Sequence, residues 1–271
     1  MLKESLVYNM KKTILLVIII LLVGLSSCNK KTTVINKVIN QTVDVEDKIT
    51  IETFEDVLCN TIENVEQSVV GIKAVNDQAI LKTESFGSGV IVSNEQNKYY
   101  IVTNRHVIMN KGNIYDNIDI YLGSIDFYID AALVAYDEYI DLALLEVETD
   151  ILLKVCKLGN SNELKKGQFC IAVGSPYDLE TYYNTVSVGN ISSVKRVITE
   201  SNYFHKELTN EYIQSTAAIN EGCSGGGLFN LNGELIGINT WKLTDSSTNI
   251  DSMNFSIGVD KIKEVSTLYL H

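Results

Sequence analysis

Three short segments of the sequence carry the residue types that acyl transfer by a serine requires. Residues 222–226 read GCSGG and place Ser224 among glycines, which permit a sharp turn and leave backbone amides free to face a developing negative charge. His106 lies just past one apolar, strand-like run, and Asp141 stands at the start of another. A histidine can take the proton of a serine hydroxyl, and a carboxylate can orient that histidine. The three residues are therefore candidates for nucleophile, base and orienting group.

Cys223 is a second candidate for the nucleophile. A cysteine nucleophile on this turn would need glycines directly after it, whereas Ser224 follows Cys223. The Gly-x-Ser-Gly-Gly register favours Ser224, and Cys223 is interpreted as a small side chain turned away from the cleft. The sequence shows no Cys/His cluster at metal-ligand spacing and no phosphate-binding or dinucleotide motif, so we expect neither a metal nor a cofactor.

The composition indicates an ordered domain rather than a nucleic-acid binder. Of 271 residues, 45% are hydrophobic and 21% are charged, with 17 glycines but one proline, which fits a folded chain with many turns. The formal net charge of −12 disfavours general binding to nucleic-acid phosphates or anionic lipid headgroups.

Two series of short β-rich runs, separated by Gly, Asn, Asp and Ser, must position the candidate residues. They predict an all-β fold of two tandem six-stranded antiparallel barrels, about residues 68–150 and 151–259, with short amphipathic helices before and after them. The runs are Ser68–Ala74, Gly87–Val92, Tyr99–Thr103, Ile118–Leu122, Ala131–Tyr136 and Leu142–Val147, then Val155–Leu158, Phe169–Gly174, Thr185–Val194, Tyr212–Ser215, Gly226–Asn230, Leu235–Trp241 and Asn254–Val259.

Together these segments resemble the trypsin-fold serine proteases, and among them the HtrA/DegP family. The resemblance rests on the three motifs in the order His, Asp, Ser, and it spans roughly residues 54–265 within a protease domain expected at 53–271. It implies His106 as general base and acid, Asp141 as its orienting partner and Ser224 as nucleophile. It further implies that the backbone N–H groups of Gly222 and Ser224 form an oxyanion hole.

The resemblance also implies where a substrate binds. Ala218 would form the base of the primary pocket, and because it carries no carboxylate we expect small or medium aliphatic side chains at the cleaved position. The strand formed by Ile238, Asn239, Thr240 and Trp241 would form one wall and pair with the substrate backbone. Trp241 stands where relatives often carry something small, so it either limits the pocket or packs at the barrel edge.

The N-terminus has the layout of an export signal. Lys11 and Lys12 precede an apolar stretch of about 12 residues, shorter than the ~20 that a membrane span needs, and small residues follow. The run Leu25–Cys28 resembles the bacterial lipobox, in which the cysteine is lipidated. We therefore expect a signal peptide at 1–27, lipidation of Cys28 and a polar tether at 28–52. An ordinary signal peptide and an uncleaved anchor remain open.

The expected function is that of an exported, membrane-tethered serine endopeptidase that cleaves unfolded or extended proteins in quality control. The sequence stops about a dozen residues after the last predicted strand, so no PDZ domain is expected. The family analogy suggests a homotrimer formed through Glu52–Val65. Two alternatives stay open: a non-catalytic peptide-binding module on the same fold, and a processing or virulence protease of narrow specificity.

Overall fold

The structure of the chain is a computed structural model that describes residues 51–77, 82–137, 139–201, 207–243 and 252–269. The expected signal at 1–27, the lipidation site at Cys28 and all but the last two residues of the expected tether lie outside this part of the chain. Across these ranges, no helix is both long enough and apolar enough to cross a bilayer.

The described residues fold mainly into β-strands. The helices are α1 (Ile51–Val65), α2 (Arg105–Ile108) and α3 (Val259–Tyr269), with 3₁₀ turns at Glu66–Ser68 and Ser161–Glu163. The strands are β1 (Val69–Asn76), β2 (Thr83–Glu95), β3 (Lys98–Asn104), β4 (Met109–Asn110), β5 (Asn113–Ile114), β6 (Asn117–Leu122), β7 (Phe127–Asp130), β8 (Ala132–Asp137), β9 (Leu142–Glu148), β10 (Lys157–Leu158), β11 (Phe169–Gly174), β12 (Thr185–Ser201), β13 (Glu207–Ser215), β14 (Gly227–Phe229), β15 (Glu234–Lys242) and β16 (Asn254–Gly258).

Two curled sheets follow one another along the chain, which confirms the expected all-β, trypsin-like class. The first has the strand order β7-β6-β1-β2-β3-β9-β8 and the second β10-β15-β14-β11-β12-β13-β16. In the second sheet β15 also pairs with β16, so the sheet closes on itself. Each sheet contains seven strands, one more than the six of each predicted barrel, and β10 pairs with β15 in parallel although antiparallel barrels were predicted. In the first sheet the strand that was not predicted is β7, which is short and buries none of its side chains. A strand without a buried face has no alternating apolar pattern to recognise.

Strand β9 of the first sheet buries both of its faces. In β9, Leu142 and Leu144 belong to a core shared with residues of the second sheet such as Phe229, whereas Ala143 and Leu145 belong to a core formed within the first sheet. Successive side chains of a strand point to opposite faces, so β9 reads as a continuous apolar run. The candidate residue Asp141 sits at the end of this buried strand, where the two sheets meet.

Both ends of the domain pack onto the core shared by the two sheets. Ile62 and Val65 near the end of α1 contact this core, as do Val259 and Ile262 of α3. The predicted N- and C-terminal helices are confirmed, and these four side chains attach them to the sheets.

The shared core predicts a large difference between two phenylalanines. Phe229 is 0% exposed and Phe127 is 50% exposed. We expect Phe229→Ala to lower the free energy of unfolding by about 3–5 kcal/mol, because it removes buried apolar contacts and leaves a cavity. The matched Phe127→Ala change should cost under about 1 kcal/mol. Urea unfolding followed by fluorescence measures both values, and equal losses would contradict the assignment of the core.

Candidate active site

Strand pairing brings His106 and Asp141 together. β3 and β9 are antiparallel neighbours with Asn104 opposite Leu142, so the residues after β3 lie beside the residue before β9. His106 Nδ1 lies 2.7 Å from Asp141 Oδ2, and the backbone N–H of His106 donates to Asp141 Oδ1 at 3.0 Å. Both oxygens of the carboxylate therefore hold the histidine, one through its ring and one through its backbone.

The backbone of Asp141 is fixed as firmly as its side chain. Its carbonyl oxygen accepts from the N–H of Arg105 and from Asn104 Nδ2, each at 3.1 Å. Asp141 has φ +56°, in the left-handed region that side-chain-bearing residues seldom occupy but that Asp tolerates better than most. The surrounding hydrogen bonds hold this conformation and aim the carboxylate at His106.

A residue of the second sheet also contacts this carboxylate. Thr240, on β15, donates from Oγ1 to Asp141 Oδ2 at 3.2 Å. The same Oδ2 faces His106 Nδ1, so one carboxylate oxygen joins the ring on the first sheet to a strand of the second. The sequence predicted Thr240 only as a wall for substrate and missed this contact.

The pKa of His106 is raised above its ordinary value of 6.5. Removal of the ring from water by the surrounding protein lowers this pKa, but the negative charge of Asp141 and the hydrogen bond to it raise it by more, and Arg105 opposes them weakly. The side chain remains 49% exposed, so a proton on the ring can exchange with a substrate or with water.

Ser224 stands on the turn that precedes β14. Its Oγ donates to the carbonyl oxygen of Thr240 at 2.8 Å, and within the described residues no hydrogen bond joins it to His106. The following Gly225 has φ +86°, and a Cβ there would lie 2.0 Å from the carbonyl oxygen of Ser88. Only glycine fits such a position, which explains the glycine after the serine.

The amides of Gly222 and Ser224 are held in fixed directions. The carbonyl of Glu221 accepts from the N–H of Tyr177 at 2.9 Å, and the carbonyl of Cys223 accepts from the N–H of Gly226 at 3.0 Å. In a planar trans peptide the N–H points away from the carbonyl, so the two amides face away from these contacts. Neither amide donates a hydrogen bond to another group of the described chain, so both are available as donors to a bound oxygen atom.

Ser88, on the first sheet, binds this turn by hydrogen bonds. Its Oγ donates to the carbonyl of Gly222 at 2.8 Å and accepts from the N–H of Ser175 at 2.9 Å, while its N–H donates to the carbonyl of Ser224 at 2.8 Å. In the sequence, Ser88 is marked only by its place between Gly87 and Gly89. Its contact with the turn could not be predicted, since it joins positions 134 residues apart.

A cavity of about 500 Å³ opens beside His106 and Ser224. Two acidic and three aromatic side chains share its wall with the turn at Gly222. The lining residues are Glu84, Ser85, Phe86, His106, Tyr115, Tyr177, Glu221, Gly222 and Ser224. The aromatic residues could not be predicted from the sequence, because they lie on separate loops and strands without a shared motif.

The five residues expected to bind substrate do not line this cavity. Ala218 is exposed, whereas the side chains of Ile238 and Asn239 are buried in the second sheet. The indole of Trp241 stacks on Phe255 with ring centroids 4.3 Å apart, which is the packing at the barrel edge that the sequence left open. Their role in substrate binding stays a prediction, and for Ile238 and Asn239 it can involve the backbone alone.

Cys223 has the character of a structural thiol. It is buried, and this burial raises the pKa of its thiol, although the nearby Lys242 opposes the shift. The thiol form is a poor nucleophile, so the environment of Cys223 favours Ser224 in that role. In the described ranges, no cluster of three or more His, Cys, Asp or Glu side chains is arranged to hold a metal ion.

The two sheets, the His106–Asp141 pair and the Ser224 turn define a trypsin-like peptidase. The chain belongs to this family, because residues 87–238 match the family model described as a trypsin-like peptidase domain. Among trypsin-like peptidases its relatives are of the HtrA type, which confirms the resemblance derived from the sequence.

Three curated relatives and one solved structure illustrate the similarity. Serine protease HTRA1A of Danio rerio is 35% identical over 76% of this chain, the Do-like HtrA of Lactobacillus helveticus 39% over 67%, and the Do-like HtrA of Bacillus subtilis 31% over 77%. The aligned regions cover 40%, 42% and 47% of those proteins, so the chain matches less than half the length of each. An HtrA-type protease solved with a tripeptide has a TM-score of 0.62 and 30% identity, over 79% of this chain and 64% of its own.

The Asp141 contact makes a prediction about the titration of His106. We expect NMR titration of the ring to give a pKa above 6.5 in the unmodified chain, and a lower pKa in Asp141→Asn, because the negative charge is lost while desolvation and Arg105 remain. Asp150→Asn, at an exposed carboxylate bound to Asn97, serves as the control and should leave the titration unchanged. A His106 pKa that is the same in all three proteins would contradict the role given to Asp141.

The Ser88 contact predicts a cost for removing one hydroxyl. Ser88→Ala leaves the buried N–H of Ser175 and the carbonyl of Gly222 without their shared partner. We expect a loss of about 1–3 kcal/mol in the free energy of unfolding, measured in urea. An unfolding curve that superimposes on that of the unmodified chain would show that this contact does not hold the turn.

Proposed function

We propose that the chain is a serine endopeptidase in which Ser224 is the nucleophile, His106 the general base and acid, and Asp141 the group that orients His106. The observation that carries the proposal is the hydrogen bond between His106 and Asp141 beside a turn that presents Ser224 and two unused amides. Membership in the trypsin-like peptidase family supports it.

The reaction begins with a change of partner for Ser224. Its hydroxyl turns about the Cα–Cβ bond from the Thr240 carbonyl towards His106, which accepts the proton as Oγ attacks the substrate carbonyl carbon. The negative oxygen of the tetrahedral intermediate is stabilised by the N–H groups of Gly222 and Ser224. His106 then protonates the leaving amine as the peptide bond breaks, and a water molecule hydrolyses the acyl-enzyme by the same steps. Each step uses protein groups and water.

The substrate is proposed to be an extended segment of a protein. β14 pairs with β15 only as far as Ile238, while β16 covers the other edge of β15 up to Lys242. Thr240–Lys242 thus offers one edge without a strand partner among the described residues, and an extended peptide can add there. The similar HtrA-type structure was solved with a tripeptide, which supports peptide binding by this fold.

The cellular setting is proposed from the sequence. A signal at 1–27 and lipidation of Cys28 would anchor the domain outside the cytoplasm, where unfolded exported proteins are the substrates of a quality-control protease. Similarity to HtrA proteases supports an exported setting. A homotrimer assembled through Glu52–Val65 is proposed from the family analogy alone. A processing protease of narrow specificity would share the mechanism, and a peptide-library profile that accepts one sequence only would favour that alternative.

A second candidate function is peptide binding without cleavage. The hydrogen bond from Ser224 to Thr240, in place of one to His106, favours this alternative, since a binding module has no need of the reactive arrangement. The variants that follow separate the two functions.

Catalysis by Ser224 predicts distinct effects for three substitutions. The unmodified chain should cleave an unfolded protein and react with a fluorophosphonate probe, whereas Ser224→Ala should lose both activities, because it removes the nucleophile. Asp141→Asn should lower kcat by about 10⁴, since His106 loses its orienting partner. Cys223→Ala should keep probe labelling, measured by intact-mass spectrometry. Labelling that survives in Ser224→Ala and disappears in Cys223→Ala would overturn the assignment, and no reaction of the unmodified chain would favour the binding module.

A further inference from the structure

The cavity beside His106 and Ser224 has one wall that the proposed chemistry does not use. This wall is formed by Phe86, Tyr115, Tyr177 and Glu221 and encloses a space of about 500 Å³. A cavity of this size accommodates one or two amino-acid side chains. Its lining should therefore select among substrates.

Tyr177 projects its ring from a fixed loop. It is 79% exposed and has φ +68°, a left-handed conformation that is strained for a residue with a bulky side chain. The N–H of Tyr177 donates to the carbonyl of Glu221, and the loop is anchored by Ser175, bound to Ser88, and by Asn184, whose Nδ2 donates to the carbonyl of Glu66 at 2.7 Å. A large ring held in solvent at the cost of backbone strain points to a contact with a ligand.

Glu221 brings a negative charge to the same cavity. The second carboxylate of the lining, Glu84, already lies 3.2 Å from Lys82. Glu221 is exposed, and its carboxylate forms no ion pair with any lysine or arginine in the described parts of the chain. Of the two carboxylates that line the cavity, Glu221 is therefore the one available to pair with a cation of a ligand.

Three basic residues lie near the cavity, and in the described parts of the chain none of them forms an ion pair with Glu221. Lys73 Nζ lies 5.9 Å from the ring centroid of Phe86, so Phe86 already has a cation of its own and offers mainly an apolar surface. Lys242 lines a neighbouring cavity with Tyr177 and Glu221, and its Nζ is bound to Asn220 Oδ1 at 3.0 Å. The charge of Arg105 lowers the pKa of the adjacent His106. The ring of Tyr177, over which no lysine or arginine of the described chain stacks, is the aromatic surface free to receive a further cation.

The proposed mechanism decides which part of a substrate enters this cavity. The segment before the cleaved bond pairs with the edge at Thr240–Lys242, and none of those three residues lines this cavity, although Lys242 lines a neighbouring cavity together with Tyr177 and Glu221. His106 gives its proton to the leaving amine and does line it. The segment after the cleaved bond therefore runs past Phe86 towards Tyr177 and Glu221.

We infer that this cavity binds an arginine or lysine side chain from the first two residues after the cleaved bond. Glu221 pairs with its positive charge, Tyr177 stacks against it, and Phe86 packs on its aliphatic stem. The inference rests on the proposed function and adds the substrate class: extended proteins with a basic residue just beyond the cleavage point.

The test compares peptides that differ only in one residue after the cleaved bond. With arginine, norleucine or glutamate at that place, we expect kcat/KM of the full chain to be about tenfold higher for arginine than for norleucine. Glu221→Gln and Tyr177→Ala should each bring the ratio of arginine to norleucine close to one. Glu221→Lys should reverse the preference, so that glutamate exceeds arginine. The control Glu95→Gln, at an exposed acid outside the cavity lining, should keep the ratio of the unmodified chain.

Labelling of Ser224 by a fluorophosphonate separates this inference from the proposed function, because the probe carries no residue after a cleaved bond. Labelling and peptide cleavage with an arginine-to-norleucine ratio near one would overturn the inference and leave the protease in place. The inference also fails if the preference for arginine survives in Glu221→Lys. Absence of both labelling and cleavage in the unmodified chain would overturn the proposed function and the inference with it.

Discussion

The Asp141 carboxylate accepts hydrogen bonds from both sheets, and the arrangement of the candidate site follows from this. One oxygen faces the ring of His106 and the hydroxyl of Thr240, and the other receives the backbone N–H of His106. Removing this one side chain would free the histidine, loosen the link to β15 and remove the charge that raises the pKa of His106. Its left-handed backbone is strained, and the buried strand behind it together with the bonds to its carbonyl sustain that strain.

A second link between the sheets serves the other half of the site. Ser88, from the first sheet, binds the carbonyls of Gly222 and Ser224 on the turn of the second. The histidine and the serine thus come from different sheets. Asp141, the partner of His106, is bound to Thr240 of the second sheet, and Ser224 is bound to Ser88 of the first. Their separation depends on the packing of the shared core, so the reactive geometry is a property of the whole domain.

The sequence predicted the fold class, the order of the motifs and most strands, because alternating or continuous apolar runs and glycine turns are local signals. It missed β7, which buries no side chain and so leaves no apolar pattern. It could not assign Thr240 to Asp141 or Ser88 to Gly222, since these contacts join residues 99 and 134 positions apart and depend on how the two sheets pack. The sequence also could not predict that Tyr177 and Glu221 line the cavity, because no residue type marks the backbone conformation that exposes Tyr177.

A crystal structure of the chain after reaction with a fluorophosphonate tests the central claim most directly. The account predicts phosphorus bonded to Ser224 Oγ and a phosphoryl oxygen about 2.7–3.1 Å from the N–H nitrogens of Gly222 and Ser224. His106 Nε2 should lie within hydrogen-bonding reach of the adduct, with Asp141 still bound to both His106 and Thr240. An adduct on another residue, or one on Ser224 whose phosphoryl oxygen faces away from both amides, would contradict the account.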